Sequence, residues 1–253
     1  MREIPQGLAT VEFAAQVNGL YVALMAHARA GAQEEPSLGG QLLFAGELNA
    51  QGRAMVVAAN IAGAASLAAT ADPMAQKQAV RDGVADFLVT TLDEALRILK
   101  NEVRKRETVA VCVAAAPHAV EREMLERGVL PDLLPPGGAS NGTDLDTFLK
   151  QGARCFEVGI APQGGVLVAW QVSSAPARWL PLVDAIALEY LELDDLATRR
   201  WLRLAPRYLG RLAQGVRVAR FGSAAAQGFR NRVEEAVESG AIGAEVSFRA
   251  VNA

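Results

Sequence analysis

Residues 41–70 read QLLFAGELNAQGRAMVVAANIAGAASLAAT, and this stretch decides the fold. The apolar run Gln41–Ala45 predicts a buried strand, Gly46–Gly52 a turn, Ala54–Ala65 a helix of small residues, and Ser66–Thr70 a second strand. Strand, turn, helix and strand in this order form a βαβ unit, the building block of parallel sheets. We therefore predict an α/β fold built around this unit.

The alternation of helices and strands continues after this unit. Asp72 and Pro73 predict a helix start, with the aspartate as N-cap and the proline in the first turn. Thr91 and Glu94 have the spacing of a capping box, which predicts a second helix start. Thr108–Ala115 is predicted to be a strand buried on both faces, because its valines alternate with small apolar residues.

The C-terminal half shows the same alternation, with apolar segments at Val166–Trp170 and Arg178–Leu182 and further elements at Leu196–Leu212, Val216–Phe221, Ala224–Glu238 and Ala244–Val251. Such alternation predicts a mostly parallel sheet with helices on both faces. Breaks near Pro36 and Gly164 suggest the domain boundaries. We predict a Rossmann-like domain over residues 39–164, inserted in a smaller α/β domain formed by residues 1–38 and 165–253.

Composition excludes several classes of function. The 25 basic and 28 acidic residues are balanced, so nucleic acid is not an expected partner. The densest basic run, Arg104-Lys105-Arg106, is interpreted as a solvated helix end. Cys112 and Cys155 lie in apolar stretches, which predicts reduced, buried thiols. No metal-ligand spacing, signal-peptide pattern or membrane-spanning run is found, so a cytoplasmic protein is expected.

The turn after the first strand is the expected ligand site, because ligands of open α/β sheets bind beyond the carboxyl ends of the strands. A turn that holds a pyrophosphate needs glycines, so that backbone N–H groups approach the anion. This turn offers Gly46, Asn49, Gly52 and Arg53, and Glu47 adds a carboxylate that Arg53 would have to offset. We interpret it as an ordinary βα loop, with an altered nucleotide site as the alternative.

Two further candidate binding residues follow neighbouring strands. The second strand ends at Thr70, where a dinucleotide-binding fold places an acidic residue for the ribose. His118 follows the strand Thr108–Ala115 and is a candidate for lining a pocket, whereas His27 is interpreted as structural. Ser223 at a strand–helix turn is interpreted as an N-cap, with anion binding as the alternative. We assign no catalytic residue, since no Gly-x-Ser-x-Gly elbow is present.

Several motifs occur in the same order as in one known family. Arg127–Leu133 resembles an Arg-Gly-Val-x-Pro-Asp signature, and weaker matches lie at Ile4–Gly7, Gly46–Ala64, Thr91–Leu96, Pro176–Trp179, Arg200–Leu202 and Val216–Gly240. On these motifs the sequence resembles the urocanases (urocanate hydratases), which add water to urocanate with a tightly held NAD as electrophile. The resemblance implies an NAD-associated Rossmann-like fold and a homodimer.

The departures from the family pattern concern its functional residues. The family's Gly-Gly-Met-Gly-Gly-Ala turn corresponds to Leu48–Arg53, where one glycine is kept, and its ribose-binding glutamate corresponds to Thr70. Its Gln-Thr-Ser-Ala-His-Asp loop corresponds to Gly137–Gly142, which has neither histidine nor acid. The family's catalytic segment would follow Val251. The resemblance therefore implies a shortened, degenerate relative without a catalytic segment, for which no cofactor is expected unless NAD binding persists.

Three functional hypotheses remain open at this point. The first is a urocanase-like protein without hydratase activity that binds a small molecule or acts as a partner or regulatory protein. The second is an enzyme with a modified NAD or nucleotide site at the carboxyl ends of the strands, around residues 46–53 and His118. The third is a hydratase that another chain completes in trans.

Overall fold

The computed structural model describes residues 6–28, 35–135, 144–157, 165–213 and 215–251. The chain divides into two compact units: Leu20–Gly159, and Met1–Gly19 together with Ile160–Ala253. Helix α1 (Gln6–Met25) contributes to both units. None of the described helices is long and apolar enough to cross a membrane.

The unit Leu20–Gly159 contains a parallel sheet with the strand order β3-β4-β2-β1-β5-β6. Its elements are β1 (Leu42–Glu47), α2 (Ala50–Ala62), β2 (Ala65–Ala69), α3 (Pro73–Arg81), β3 (Phe87–Val89), α4 (Leu92–Lys105), β4 (Ala110–Val113), α5 (Pro117–Glu126), β5 (Leu133–Leu134), α6 (Asp144–Lys150) and β6 (Arg154–Cys155). The predicted α/β class and the predicted βαβ unit are confirmed.

The central strands are buried on both faces, which is why they read as continuous apolar runs. Every residue of β2 and β4 is buried. On one face of the sheet Phe44, Leu67 and Val111 pack with helix residues such as Leu96 and Phe148 in a single core cluster. The short strands β3 and β6 were not predicted, because two or three residues are too few to display a period.

Local capping signals set the helix starts as predicted. The Thr91 hydroxyl accepts from the Glu94 N–H, and the Glu94 carboxylate accepts from the Thr91 N–H, so the capping box is confirmed. The Asp72 carboxylate accepts from the Met74 N–H at 2.8 Å, and Pro73 lies in the first turn of α3. The prediction that Ser223 caps a helix is wrong: Gly222 is the N-cap of that helix, because Ser223 already lies within its first turn.

The second unit holds a separate antiparallel sheet with the order β8-β7-β9. Its elements after α1 are β7 (Val166–Val172), α7 (Pro176–Glu189), α8 (Leu196–Leu209), β8 (Val216–Phe221), α9 (Ser223–Glu238) and β9 (Val246–Val251). The apolar segment Arg178–Leu182 lies inside α7. Trp170 and Phe229 pack together in the core of this unit, with ring centroids 5.2 Å apart in an edge-on arrangement.

Candidate functional site

The carboxyl ends of the parallel strands form the expected ligand edge. Strand β1 has β2 on one side and β5 on the other, although the chain visits β2, β3 and β4 before it reaches β5. The chain therefore reverses its direction of strand addition at β1, and ligands of open α/β sheets bind at such points. The loop Gly137–Gly142, which corresponds to a loop of the family pattern, lies outside the described residues. The described part of the site consists of the loops after β1, β2 and β4.

The turn after β1 closes upon itself. Gly46 adopts a left-handed φ of 70° beside an irregularity in the pairing of β1 with β2. The Leu48 N–H donates to the Ala69 carbonyl at 3.0 Å and so continues that pairing. Asn49 is the N-cap of α2, and its side-chain oxygen accepts from the Gly52 N–H at 3.0 Å. A donor that a phosphate turn would direct at its ligand is thus used within the turn.

Gly52 is required by packing between the helix and the strand. A Cβ atom at Gly52 would lie 2.0 Å from the backbone oxygen of Glu47, far inside any tolerated contact. Backbone groups at a strand end and a helix start have little freedom to move apart. The single glycine kept in the second half of this turn therefore lets α2 approach β1, whether or not a phosphate is bound.

The charged residues of the turn do not neutralise one another. The Arg53 guanidinium forms an ion pair with Asp82 at the end of α3, and both side chains are largely buried. Asp82 also accepts from the Gln78 side-chain amide at 2.8 Å. Burial, and to a smaller extent the negative charge of Glu47, raises the pKa of Cys112 to about 11. Arg53 therefore pairs with Asp82 and does not offset the charge of Glu47.

Thr70 joins the end of β2 to its neighbours. The Thr70 N–H donates to the Val113 carbonyl at 3.1 Å, and its carbonyl accepts from the Gln76 side-chain amide at 2.9 Å. Its hydroxyl accepts from the Asp72 N–H at 3.3 Å, and only 1% of the residue is exposed. The N–H, carbonyl and hydroxyl groups of Thr70 therefore all make hydrogen bonds within the fold, and the exposed acid beyond it, Asp72, caps α3.

His118 lies at the same edge but in a different environment. It is the second residue of α5, directly after Pro117, and its side chain is exposed. Within the described part of the chain no hydrogen bond or ion pair involves its ring. The six predicted binding residues thus fall on the adjacent strand ends of β1, β2 and β4. Gly46, Asn49, Gly52 and Arg53 share one turn, Thr70 follows the neighbouring strand, and His118 follows the next.

The described residues hold neither a candidate metal site nor an activated thiol. No group of three or more histidine, cysteine or acidic side chains is placed to bind a metal among them. Both cysteines are free, and burial raises the pKa of each thiol. Since a thiolate is the reactive form of cysteine, Cys112 is not a nucleophile near neutral pH.

Comparison with known families agrees with this architecture. The parallel sheet, its strand order and its helices define a Rossmann-like α/β domain. Residues 15–140 match the family model described as the urocanase Rossmann-like domain. The chain is therefore a urocanase-like protein across this region, as its motifs predicted.

The cofactor associated with urocanases is NAD, and the turn after β1 does not fit a pyrophosphate in the usual Rossmann manner. The backbone N–H groups of Ala50 and Gln51 have no partner among the described residues, since the Asn49 side chain accepts from the Gly52 N–H. The Glu47 carboxylate would repel a pyrophosphate, and Arg53 is already paired with Asp82. The ribose-binding acid is replaced by the buried Thr70.

A polar cavity lies at the opposite, amino ends of the strands, and it was not predicted from the sequence. It has a volume of about 360 Å³ and includes Arg104 and Arg106 in its lining. The sequence signals were the basic run 104–106 and the glycine pair Gly39-Gly40. These segments are more than sixty residues apart, and nothing along the chain indicated that they meet.

Proposed function

We propose that this urocanase-like protein does not hold NAD in the manner of the urocanases and has no hydratase activity. It acts instead as a small-molecule-binding or regulatory protein built on the Rossmann-like domain. The observation that carries the proposal is the Arg53–Asp82 ion pair, which removes the cation of the turn and leaves Glu47 uncompensated near the position of a pyrophosphate.

The energetic consequence is large. A hydrogen bond to a charged group contributes about 1.5–3 kcal/mol. Losing three such bonds to the pyrophosphate and ribose would weaken binding by roughly three to six decades. An affinity reduced by that factor does not support a tightly held cofactor.

The test is the NAD content of the protein. Freshly purified protein is denatured, the released small molecules are quantified by mass spectrometry, and added NAD is titrated against the folded protein in a thermal unfolding assay. We expect no stoichiometric NAD and no saturable shift in melting temperature. About one NAD per chain would contradict the proposal and would mean that the binding site is built from other contacts.

A second candidate is an enzyme with a modified nucleotide site. The free N–H groups of Ala50 and Gln51 favour it, because the start of a helix attracts anions. The exposed His118 at the same ends of the strands offers an imidazole near such a ligand. The same mass spectrometry distinguishes the candidates. A co-purifying nucleotide whose retention falls in His118→Ala, but not in the control His27→Ala, would support the enzyme.

We also propose that the chain forms a homodimer, as the resemblance to urocanases implies. Exposed apolar side chains on α3 and the terminal strand β3 support this proposal: Met74 is 72% exposed, Phe87 48% and Leu88 41%. A terminal strand with apolar side chains on both faces is prone to pair with another copy. Such an edge is self-complementary about a two-fold axis.

A further inference from the structure

The polar cavity lies at the amino ends of β1 and β5, whereas the turn after β1 lies at the carboxyl ends of the strands. Its volume is about 360 Å³, comparable to a site for a small metabolite. Its lining combines a loop before β1, the last turn of α4 and the residue before β5: Glu35, Ser37, Gly39, Gly40, Gln41, Val103, Arg104, Arg106 and Asp132.

Arg106 occupies a backbone conformation that usually belongs to glycine. It ends α4 with a left-handed φ of 61°, and its N–H caps the carbonyls of Glu102 and Val103. Among the described residues, Ala175 is the other non-glycine with a positive φ. Glycine or asparagine would adopt this conformation at lower cost. An arginine in this strained conformation points to a use for its side chain.

The loop Gly39-Gly40 leaves room for this arginine. A Cβ atom on Gly39 would lie 3.3 Å from the Cβ atom of Arg106 and 3.1 Å from its carbonyl oxygen. A Cβ atom on Gly40 would lie 3.5 Å from the Cγ atom of Arg106, and Gly40 itself has a φ of 87°. The stem of the arginine therefore lies against the backbone of this loop, and Arg106 is part of the lining of the cavity.

The two arginines of the cavity are free to bind a ligand. Arg104 and Arg106 are exposed, and neither guanidinium group has a hydrogen bond or ion pair with any residue that the structure describes. Lys105 between them does not line the cavity and pairs with Glu102 at 2.8 Å. The Gly40 N–H adds a backbone donor without a partner among the described residues. Two guanidinium groups and an N–H form a donor set that suits an oxyanion.

The same cavity also presents acceptors. One carboxylate oxygen of Asp132 accepts from the Leu42 N–H at 2.8 Å, and the second oxygen has no partner in the described chain. The Gln41 side-chain oxygen accepts from Arg154 at 2.7 Å. The cavity lining also includes Glu35, so a bare anion would meet two carboxylates unfavourably. A hydroxyl group beside the anion would instead donate to Asp132.

We propose that this cavity is a binding site for a small phosphate monoester that carries hydroxyl groups. Its phosphate lies between Arg104, Arg106 and the Gly40 N–H, and a hydroxyl group donates to Asp132. The site does not include the turn after β1, so its test is independent of the test of the proposed function.

Glycerol 3-phosphate is the probe, with inorganic phosphate and glycerol as comparison ligands in calorimetric titrations at constant ionic strength. We expect saturable binding of glycerol 3-phosphate, weaker binding of phosphate and none of glycerol. Arg104→Ala and Arg106→Gly are each expected to weaken binding about tenfold or more, the loss of one charge-assisted contact. Lys105→Ala, which removes the same charge between them, is the matched control and is expected to change affinity less than about twofold.

Arg106→Gly also guards against a folding artefact, because glycine suits the left-handed position. We expect this variant to melt at the same temperature as the parent or higher while losing the ligand. Absence of saturable binding at millimolar glycerol 3-phosphate would overturn the proposal. So would an equal loss in Lys105→Ala, since that result indicates unspecific charge, or unchanged affinity in both arginine variants.

Discussion

Gly52 separates two roles that glycines play in a strand–helix turn. One role is to expose backbone N–H groups to a phosphate, and the other is to let a helix start approach a strand end. Gly52 has the second role here, because a Cβ atom would lie 2.0 Å from the Glu47 oxygen. Its N–H is taken by the Asn49 side chain. A glycine in such a turn is therefore not in itself a sign of nucleotide binding.

The first prediction concerns this residue. Gly52→Ala is expected to lower the free energy of unfolding by about 2 kcal/mol or more, because backbone atoms must shift to admit the new methyl group. Gly19→Ala is the matched control, since Gly19 is exposed inside α1 with nothing within 4 Å of its added Cβ. We expect that control to gain about 0.5–1 kcal/mol. Urea unfolding monitored by circular dichroism measures both, and equal effects would contradict this role of Gly52.

At the scale of elements, α7 depends on contacts with its sheet. The helix begins after Ala175, which has a left-handed φ of 45° and makes no side-chain cap, and it contains Pro181. Asp184 on α7 accepts from the Trp170 indole N–H on β7 at 3.1 Å and from Arg217 on β8 at 2.9 Å. Burial raises the pKa of Asp184, while Arg217 and Trp170 act in the opposite direction. One carboxylate thus connects a helix to two strands.

The second prediction removes the charge of this carboxylate. Asp184→Asn leaves the Arg217 guanidinium largely buried without its counter-ion, and breaking a buried pair in this way costs about 3–5 kcal/mol. We expect a loss near the lower end of that range. Chemical denaturation with near-ultraviolet circular dichroism follows both the stability and the packing of Trp170.

The control for this change is Asp194→Asn, because Asp194 is exposed and its side chain has no partner among the described residues. Exposed substitutions of this kind change stability by less than about 0.5 kcal/mol. If both variants lost the same stability, the three-way contact of Asp184 would not be what holds α7 to the sheet.

At the scale of the whole molecule, the exposed apolar edge on α3 and β3 gives the proposed dimer a specific location. Two adjacent residues of β3, Phe87 and Leu88, are both exposed, although a strand inside the sheet would bury at least one of them. Burial of such side chains against a second copy would gain hydrophobic free energy in proportion to the area covered.

The third prediction tests this location by light scattering coupled to size-exclusion chromatography. We expect the parent protein to elute with the mass of a dimer at micromolar concentration, and Phe87→Lys to shift it to the monomer, because a buried unpaired charge opposes association. Leu193→Lys is the control, since Leu193 is 85% exposed and belongs to the other compact unit of the chain. A monomeric parent protein would exclude the dimer, and a dimeric Phe87→Lys variant would place the interface elsewhere.

Much of the parallel-sheet unit was predictable from local patterns. The capping box of Thr91 and Glu94, the Asp72 cap and the apolar strand β4 are properties of a few consecutive residues, and each was confirmed. The short strand β3 and the antiparallel pairing of β7 were not predictable, since partner choice in a sheet depends on residues far apart in the chain.

The sequence by itself determined the α/β class, the urocanase-like character of the central region and the loss of the glycine pattern, because these are properties of residue order and local period. Only the tertiary structure decided what the remaining charges do. Arg53 pairs with Asp82, 29 residues away, and Arg106 lies against Gly39-Gly40. The physical reason is that an ion pair or a cavity wall depends on which surfaces the packed elements bring together, and sequence spacing does not encode that distance.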